Sequence, residues 1–416
     1  MRPSSLRAPI EFAAVSCALL ACGTGDDGAN RAGGTRLAEW TLGESVVQLG
    51  GSAGTGPEVF SELRHVLLSP DASVYLVDSK TTGVLRFRDD GTFVNEIGRV
   101  GDGPGEFRWI SDLGLRHDTL WVADSRNRRR QFFSPDGALA GSQPWKTWNV
   151  PTGPRQSRSV QPRGLFREDL GLAHVPTLSP LPDAPSAPGH GTVGPLAFHD
   201  TSGIARDTIA WLAQGSELFL IDMQAKGYLH FPGPNHFIET PLWNVAPDGS
   251  LIAVVDRPAP KTAASAAYRV RVWSGRGEPR FTVDVQYEPV PVEQRTVDSI
   301  INVFADDMDE AYASMDEALG IVRDSLRPPA FYPPVTDIVF ATDGAIWLAR
   351  EGLATPPFDA RRYDVIDAAG RPAGWLRLRR PGKIMAATAT DVWVVELDAD
   401  DVPTLQRYPV IRRPAP

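Results

Sequence analysis

A glycine-rich stretch, "GRVGDGPGEF" from Gly98 to Phe107, has the composition of loops that cradle phosphate groups with backbone N–H groups. A similar stretch, "GSAGTGPEVF" from Gly51 to Phe60, begins 47 residues upstream, with glycines, Gly-Pro and Phe at the same offsets. A phosphate loop has no reason to occur twice at this spacing, whereas the turns of a repeated structural unit recur at a fixed period. The stretch therefore predicts a connection within a repeat.

Other residues that could do chemistry are scattered along the chain. No G-x-S-x-G, H-E-x-x-H, Walker or C-x-x-C motif occurs. The segment "DADDV" (Asp398–Val402) lacks the glycine and the terminal glutamate of a calcium loop, and predicts a hairpin turn. The histidines, none of which pairs with another at a metal-ligand spacing, are His65, His117, His174, His190, His199, His230 and His236. The sequence motifs therefore identify no catalytic residue and no metal site.

The N-terminus predicts export. Residues 1–22 combine two arginines with a short apolar run that ends at Cys22, as in a secretory signal. The segment "LLAC" resembles the lipobox of bacterial lipoproteins, which implies acylation of Cys22; the alternative is an ordinary cleaved signal. Residues 23–38 are small and polar and predict a flexible tether. The expected location is the bacterial cell envelope, at the outer membrane or cell surface through the lipid alone, or otherwise the secreted fraction.

Composition and cysteine count exclude several classes of function. The chain of 416 residues has a net charge of −9, which disfavours nucleic acid as a partner. Cys17 lies inside the apolar run, so the processed chain keeps only Cys22. Disulfides, thiolate catalysis and cysteine-ligated metals are therefore excluded.

A unit of about 45 residues repeats along the chain. The segment "VYLVDS" at Val74–Ser79 recurs as "LWVADS" at Leu120–Ser125, and Gly91 of one D-G turn recurs as Gly137, 46 residues later in each case. Alternating strands joined by tight D-G turns at this period are typical of β-propeller blades. Inner strands are predicted to start near residues 64, 110, 163, 242, 335 and 383, which gives six blades within residues 39–413.

The last unit provides only three strands before the chain ends. The N-terminal segment "WTLGESVVQLG" reads as the missing fourth strand, so that the ring closes and no sheet edge stays open. The fold class predicted is all-β, a six-bladed propeller closed by an N-terminal strand, with one inserted amphipathic helical segment. That insertion is residues 291–327, with apolar residues at steps of three or four and an acidic opposite face. It predicts either packing on the propeller rim or a lid or docking element.

These motifs, taken together, resemble those of a known family. The pattern "IGRVGDGPGEF … LWVADS … RRRQFFSPDG" is similar to six-bladed β-propeller proteins of the NHL-repeat type, common among secreted bacterial lipoproteins, and it is strongest over residues 40–142. The resemblance implies the fold, and the fold hosts binding modules, lyases and lactonases alike. Lyases of this fold place histidines at the channel mouth, and calcium lactonases place Glu, Asn and Asp there.

Two candidate binding regions follow from the repeat. Residues that begin each inner strand point into the central channel, and the polar ones form a first candidate binding set at its mouth. This channel set is His65, Asp112, Arg163, Asn244, Asp337 and Lys383. Turns after the second strands form a basic loop face on the same side, suited to an anion or an acidic partner, or simply to solubility. Its members are Lys80, Arg126, Arg128, Arg129, Arg130 and Arg350, with Arg257 and Lys261 beside them.

The function predicted is a non-catalytic, envelope-anchored binding module that presents its loop face to a protein, a glycan or an anionic small ligand. The channel set is too mixed for a metal site, so no cofactor is expected. The alternative is a metal-assisted lyase or lactonase in the channel, with calcium as its cofactor. On the loop face, the basic residues are expected to be exposed, so that their removal would change stability little.

Overall fold

A computed structural model describes most of the propeller. The described residues are 31–32, 35–52, 59–81, 83–145, 148–153, 156–160, 162–166, 169–175, 193–213, 218–221, 231–234, 237, 239–306, 316, 319–320, 323, 326, 328–350 and 361–412. The predicted signal peptide and Cys22 lie outside them, as do His190, His230 and His236. Residues 31–32 and 35–36, within the predicted tether, are a short pair of strands. Signal and tether stay predictions.

The N-terminal strands and the first two blades follow one another without interruption. The N-terminal strands are β1 (Arg31–Ala32), β2 (Thr35–Arg36), β3 (Glu39–Leu42) and β4 (Val47–Gly50). Blade 1 contains β5 (Leu63–Leu68), β6 (Ser73–Asp78), β7 (Val84–Arg88) and β8 (Phe93–Ile97). After the short strands β9 (Arg99–Val100) and β10 (Glu106–Phe107), blade 2 contains β11 (Ile110–Arg116), β12 (Thr119–Asp124), β13 (Arg129–Phe133) and β14 (Leu139–Pro144).

Blade 3 is irregular. Its sheet contains β17 (Gly171–His174), β18 (Val193–His199) and β19 (Ala205–Ala213), and Arg163 extends it through an isolated bridge to Leu172. The described residues of 163–174 and 193–213, which lie on either side of a Pro- and Gly-rich stretch of the sequence, therefore belong to one sheet. Two hairpins flank it, β15 (Trp148–Gly153) with β16 (Gln156–Val160), and β20 (Leu218–Ile221) with β21 (Phe231–Pro234).

The remaining blades are regular again. Blade 4 contains β22 (Leu242–Val245), β23 (Leu251–Asp256), β24 (Ala267–Ser274) and β25 (Pro279–Gln286), with a 3-10 helix at Ala263–Ser265. The helix α1 (Gln294–Asp306) precedes blade 5, which contains β26 (Val335–Phe340), β27 (Ile346–Arg350), β28 (Arg362–Ile366) and β29 (Pro372–Arg377). Blade 6 contains β30 (Lys383–Ala387), β31 (Asp391–Leu397) and β32 (Pro403–Arg412). The all-β, six-bladed fold is confirmed, as are five of the six predicted strand starts; at residue 163 the described part of blade 3 has an isolated bridge in place of a strand.

The N-terminal segment closes the ring, as predicted, but it does so with two strands. Strand β4 pairs antiparallel with β32, so that it is the fourth strand of blade 6. Strand β3 lies between β29 and β32, parallel to the first and antiparallel to the second, and thereby joins blades 5 and 6. The sequence "GES" between them interrupts the alternation, which is why one predicted strand becomes two.

The glycine-rich stretch is the crossover from the outer strand β8 to the inner strand β11. Gly98 has a φ of 83°, and a Cβ there would lie 2.3 Å from the Phe107 ring. Side chains of blade 2 bind its carbonyl groups: Arg129 donates to Asp102, Gly103 and Glu106 over 2.6–2.8 Å. The loop's polar groups are thus engaged within the fold, as a structural connection requires.

The core lies between neighbouring blades. Strands β6 and β12 are buried on both faces, which their runs of Val, Leu, Tyr and Trp allow, whereas the outer strand β14 is largely exposed. Large clusters of buried apolar side chains fill the interfaces of blades 1 with 2, 3 with 4, 4 with 5, 5 with 6 and 6 with 1. Among the described residues, the cluster between blades 2 and 3 is smaller, with four buried members: Trp121, Ala123, Trp145 and Leu165.

Part of the inserted segment, Gln294–Asp306, forms the helix α1, and the predicted bounds of 291–327 stay a prediction. Val297, Ile300 and Ile301 are buried, so one face of the helix packs against the protein. Residues 316, 319, 320 and 323 are also helical, but most of 307–327 lies outside the described residues. Whether the segment acts as a lid stays a prediction.

Candidate functional site

The inner strands enclose a cavity of about 620 Å³ along the propeller axis. Every blade contributes to its wall, blade 3 through Arg163. All six residues of the predicted channel set line it, namely His65, Asp112, Arg163, Asn244, Asp337 and Lys383. The structure therefore brings together residues that are up to 318 positions apart in the sequence, and their role in binding stays a prediction.

Four of these residues occupy equivalent positions in their blades. Each lies opposite the same position of the adjoining second strand, in the pairs His65–Val77, Asp112–Ala123, Asp337–Ala349 and Lys383–Val395. In blades 1, 2 and 5 a β-bulge directly precedes this residue. A bulge re-aims the side chains of a strand, and bulges are common beside functional sites. We call His65, Asp112, Asp337 and Lys383 the polar ring.

Two members of the polar ring neutralise each other. The Lys383 Nζ lies 2.8 Å from the Asp337 Oδ2, and the Ile338 N–H donates to the Asp337 Oδ1 over 2.9 Å. Asn244 lies beside them and donates its side-chain N–H to the Ile338 carbonyl over 2.7 Å. Blades 4, 5 and 6 are thus linked by polar contacts at the channel wall.

Asp112 is 8% exposed and has two backbone donors. Its Oδ1 accepts from the Leu113 N–H over 3.1 Å, and its Oδ2 accepts from the Gly164 N–H over 2.9 Å. The second bond holds the start of blade 3 against blade 2 and fixes the position of Arg163, which adjoins Gly164. Asp112 therefore works as a structural anchor for a residue of the channel set.

Two arginines at the channel mouth have no carboxylate partner among the residues that the structure describes. The guanidinium carbon of Arg64 lies 4.2 Å from the ring centroid of Trp109, and that of Arg163 lies 5.7 Å from the ring centroid of Trp243. Arg64 donates weakly from Nη1 to the Ile110 carbonyl, over 3.5 Å, and its buried Nε has no acceptor in the described part of the chain. Stacking on an aromatic face fixes a guanidinium while leaving its N–H groups free to bind an anion.

His65 lies among these cations and is neutral at pH 7. Burial lowers the pKa of its imidazole to about 4; Asp112 opposes this, and Arg163, Arg64 and Lys383 add to it. A neutral imidazole offers one N–H donor and one acceptor. It therefore contributes a hydrogen bond to the channel mouth without adding charge.

Further along the channel the wall becomes apolar. Residues two positions on from the ring share its face of the strand, and these are Leu67, Gly114 and Val339, with Ala386 at the same level of blade 6. A Cβ on Gly114 would lie 2.1 Å from the carbonyl oxygen of Pro247, which accepts the Leu115 N–H over 2.9 Å. The turn of blade 4 thus reaches across to blade 2 and narrows the cavity there.

The basic loop face differs from its prediction, because two of its six members are buried. Arg130 is 0% exposed, lies 3.4 Å and 4.9 Å from the ring centroids of Trp145 and Trp121, and donates to the Gly164 carbonyl over 2.7 Å. Burial lowers its pKa to about 9. Arg350 is 2% exposed and binds Asp364 over 2.6 Å. These two side chains fill gaps in the core and are not available to a ligand.

The other members of the loop face are not equivalent either. Arg129 binds the glycine-rich crossover, as described above, whereas Lys80, Arg126 and Arg128 are exposed. Of the two cations beside the face, Arg257 is buried and donates to the carbonyls of Thr240 and Val335, and Lys261 is exposed. Removing the cluster at 128–130 would therefore disturb the fold, contrary to the expectation for surface charge.

Two functional candidates were missed or underweighted at the sequence level. Trp109 is 45% exposed and stacks on Arg64 at the channel mouth. The sequence signal for this site was a large aromatic residue directly before an inner strand, in a crossover where small or polar residues are usual. The second is Gly164, whose N–H donates to Asp112 and whose carbonyl accepts from Arg130. Nothing in the sequence distinguishes it from other turn glycines.

Metal ligation and membrane crossing find no support in the described residues. In that part of the chain no group of three or more His, Cys, Asp or Glu side chains is placed to hold a metal ion. Nor does it contain a helix with the length and apolar character needed to span a membrane.

A family model matches the most regular part of the propeller. Residues 59–128 match the model of the family DUF5128, described as a six-bladed β-propeller. This region covers blade 1 and the first two strands of blade 2. No curated protein matches the chain. The family model and the blade topology agree on a six-bladed β-propeller.

Several solved structures are similar over most of the chain. A member of the DUF4221 family from Bacteroides vulgatus has 7% identity and a TM-score of 0.48, with 91% of this chain and 99% of that chain covered. A protein of Bacteroides fragilis, described as a predicted exported protein, has 10% identity and a TM-score of 0.41, with coverages of 90% and 99%. The calcium-binding protein regucalcin of Agrobacterium tumefaciens has 10% identity and a TM-score of 0.36, with coverages of 90% and 97%.

Proposed function

We propose that the chain is an exported, lipid-anchored β-propeller of the NHL type that binds a small ligand in its central channel without transforming it. The observation that carries the proposal is the convergence of His65, Asp112, Arg163, Asn244, Asp337 and Lys383, from six blades, on one cavity. Ligand pockets are concave, mostly of some 300–1,000 Å³, and combine apolar walls with a few convergent polar groups. A cavity of about 620 Å³ with this composition fits that description.

The channel is a better candidate than the loop face. Arg130 and Arg350 are buried, and Arg129 is engaged with the crossover, so the loop face retains only Lys80, Arg126 and Arg128 as exposed cations. Scattered surface charges of this kind contribute little affinity. The channel residues, in contrast, are partly buried, where polar contacts are stronger.

A binding role also agrees better with the channel chemistry than catalysis does. Asp112 and Asp337 are both engaged in hydrogen bonds or an ion pair, and burial keeps the pKa of His65 well below neutrality. A general base is most effective with a pKa near the working pH. A metal-assisted lyase or lactonase would instead bind calcium, and elemental analysis of protein dialysed against calcium distinguishes that activity from binding alone.

Export and anchoring rest on residues 1–22. If Cys22 is acylated, Cys22→Ala should move the protein from the detergent-rich to the aqueous phase in a detergent phase-separation assay. Several acyl chains anchor a protein firmly in a membrane, and the variant would have no acyl chain. Mass spectrometry of the parent should show acyl chains on Cys22. Equal partitioning of variant and parent would show that the chain has no lipid anchor.

The binding function is testable with a defined mixture of amino acids, monosaccharides, nucleosides and organic acids. Saturation-transfer NMR on the processed chain should identify at least one compound that binds saturably. The double variant Asp337→Asn with Lys383→Met removes the ion pair of the polar ring and should abolish that signal. The matched control is Asp284→Asn with Arg269→Gln, an exposed ion pair of blade 4. Binding that survives the ring variant, or a complete absence of binders, contradicts channel binding.

A further inference from the structure

We propose that the channel ligand is a monocarboxylate with an apolar or aromatic body, whose carboxylate binds Arg64 and Arg163 at the channel mouth. The inference rests on the proposed function and specifies the chemical class of its ligand. Three features of the described residues support it: the charges that remain unpaired, the way in which both arginines are fixed, and the change from polar to apolar along the cavity.

The charges at the mouth require an anion. Lys383 and Asp337 neutralise each other over 2.8 Å. The two oxygens of Asp112 accept from the Leu113 and Gly164 N–H groups, so this carboxylate also has its partners. Arg64 and Arg163 have no carboxylate partner in the described part of the chain. An arginine fork that lacks a carboxylate in the protein is matched best by a carboxylate or phosphate of the ligand.

The net charge of the site favours a single carboxylate. The polar ring together with Arg64 and Arg163 contains three cations and two carboxylates, and His65 is neutral, so one positive charge remains. A monoanion neutralises this site, whereas a phosphate dianion would leave it negative. Because the site is partly buried, an uncompensated charge there is costly.

Both arginines are held in place before a ligand arrives. Arg64 stacks at 4.2 Å on Trp109, and Arg163 at 5.7 Å on Trp243. The bond between Gly164 and Asp112 fixes the backbone beside Arg163. Groups that are already ordered lose less conformational entropy on binding. The unpartnered buried Nε of Arg64 adds a donor that a ligand oxygen would satisfy.

The rest of the ligand must suit an apolar wall. Directly beyond the polar ring the cavity is lined by Leu67, Val339 and Ala386. Polar residues line it again at the opposite ends of the inner strands, namely Arg116, His117, Asp248, Ser250 and Thr342. Asn244 is the polar residue at the apolar level, and its amide already binds Ile338 and Val245. A molecule that places its carboxylate at the ring therefore places its body against apolar side chains, and burial of an apolar body favours binding.

Four probes test separately the charge, the single carboxylate and the apolar body of the proposed ligand. They are phenylacetate, its neutral isostere phenylacetamide, the dianion phenylmalonate, and inorganic phosphate. Isothermal titration calorimetry on the processed chain at pH 7.5 should show phenylacetate binding most tightly. Phenylacetamide should bind at least about tenfold more weakly, since a charge-assisted pair is worth this much or more. Added salt should lower the affinity for phenylacetate and leave the affinity for phenylacetamide nearly unchanged, because salt screens only the charge interaction.

Variants then assign the contacts. Arg163→Gln and Arg64→Gln should each weaken phenylacetate about tenfold or more and leave phenylacetamide unchanged. The matched control is Arg269→Gln, which removes a surface arginine of blade 4 that pairs with Asp284 and should leave all four affinities as they are. Circular dichroism and thermal melting confirm that each variant is folded. Ala386→Leu fills the apolar level and should weaken phenylacetate and phenylacetamide together.

The outcomes distinguish the ligand class from the binding function. Equal affinity for phenylacetamide and phenylacetate, with loss of both in Ala386→Leu, would show that the channel binds ligands but selects no carboxylate. Tighter binding of phosphate or phenylmalonate would overturn the monocarboxylate assignment. If phenylacetate binds and neither arginine variant changes its affinity, the site lies elsewhere, and both the ligand class and channel binding are wrong. Failure of all four probes, while the defined mixture yields a binder, overturns only the ligand class.

Discussion

Arg130 and Arg163 lie on either side of the same peptide segment, yet the structure uses them in opposite ways. Arg130 donates to the carbonyl of Gly164, and Arg163 precedes Gly164 in the chain. Both stack on tryptophan, Arg130 at 3.4 Å on Trp145 and Arg163 at 5.7 Å on Trp243. Arg130, however, is fully enclosed at the interface of blades 2 and 3, whereas Arg163 faces the cavity.

The difference follows from what each region lacks. Among the described residues, the interface of blades 2 and 3 has a small apolar cluster, and blade 3 has an isolated bridge in place of a regular inner strand. The long stem of Arg130 packs there between Trp121 and Trp145. The channel has an apolar level and an ion pair of its own, so Arg163 adds a cation that has no carboxylate partner in the described chain. A cation beside a cavity is thus a binding candidate only when the protein leaves its charge unpaired.

The largest loss of stability is expected when a buried arginine that pairs with a buried carboxylate is replaced. Arg350→Met removes the partner that lies 2.6 Å from Asp364 and leaves that buried carboxylate with Arg362, at 2.9 Å, and with the Tyr268 hydroxyl, at 3.0 Å. Burial would raise the pKa of Asp364, but Arg350 and Arg362 outweigh it and hold the pKa below its usual value. We expect a loss of about 3 kcal/mol in the free energy of unfolding, measured by urea denaturation.

The matched control is Arg269→Met. Arg269 also pairs with an aspartate, Asp284 at 2.7 Å, but both side chains are about half exposed, so the loss should stay below about 1 kcal/mol. Comparable losses in the two variants would show that burial does not decide the role of these arginines.

A smaller loss is expected at Arg130, which is buried without a carboxylate. Arg130→Met keeps most of the side-chain volume, loses the bond to Gly164 and the stacking on two tryptophans, and also removes a charge that burial disfavours. The free energy of unfolding should fall by about 1–2 kcal/mol. Arg126→Met, at an exposed position of the same turn, should change it by less than about 0.5 kcal/mol. A stabilised Arg130→Met would mean that the interface prefers an apolar residue.

The repeat explains how much of this was predictable from sequence. Gly91 and Gly137, and the Asp78 and Asp124 turns, fix the blade period, so the inner strands of the regular blades and the channel positions of His65, Asp112 and Asp337 follow from local patterns. Closure by the N-terminal segment followed from counting strands. Burial of Arg130 and Arg350 could not be predicted this way, because it depends on how well the neighbouring blade fills the interface. The stacking of Arg64 on Trp109 likewise depends on the distance between blades.

The channel arginines should also act on stability through His65. The folded-state pKa of His65, about 4, lies below the unfolded value of 6.5, so the unfolded chain binds the proton first as the pH falls. The contribution of neutral His65 to the free energy of unfolding is therefore fully present above pH 6.5, and it is lost as the pH falls from there towards 4. Between pH 7.5 and pH 5.5 the parent should lose about 1 kcal/mol more than His65→Gln.

Arg163→Gln sharpens this test. Burial is the main cause of the low pKa of His65, and Arg163 contributes to it, so the variant should raise the His65 pKa in an NMR titration. Arg126→Gln should leave the titration unchanged. If neither variant moves the pKa, Arg163 does not face His65 across the channel, and the proposed anion site is not assembled as described.

The smallest effect is expected at Arg128, which is exposed and neither fills an interface nor faces the cavity. Its φ of 51° lies in the left-handed region, and its carbonyl accepts the Trp145 N–H over 2.8 Å, so the turn positions a tryptophan that encloses Arg130. Arg128→Gly should stabilise the protein by about 0.5 kcal/mol, because relief of the strained backbone exceeds the added entropy of the unfolded chain. Arg126→Gly, at a position without a positive φ, should instead destabilise it by a similar amount. Thermal melting measures both variants, and phenylacetate affinity should be the same in Arg128→Gly as in the parent. A loss of affinity in Arg128→Gly would return the loop face to consideration as the binding surface.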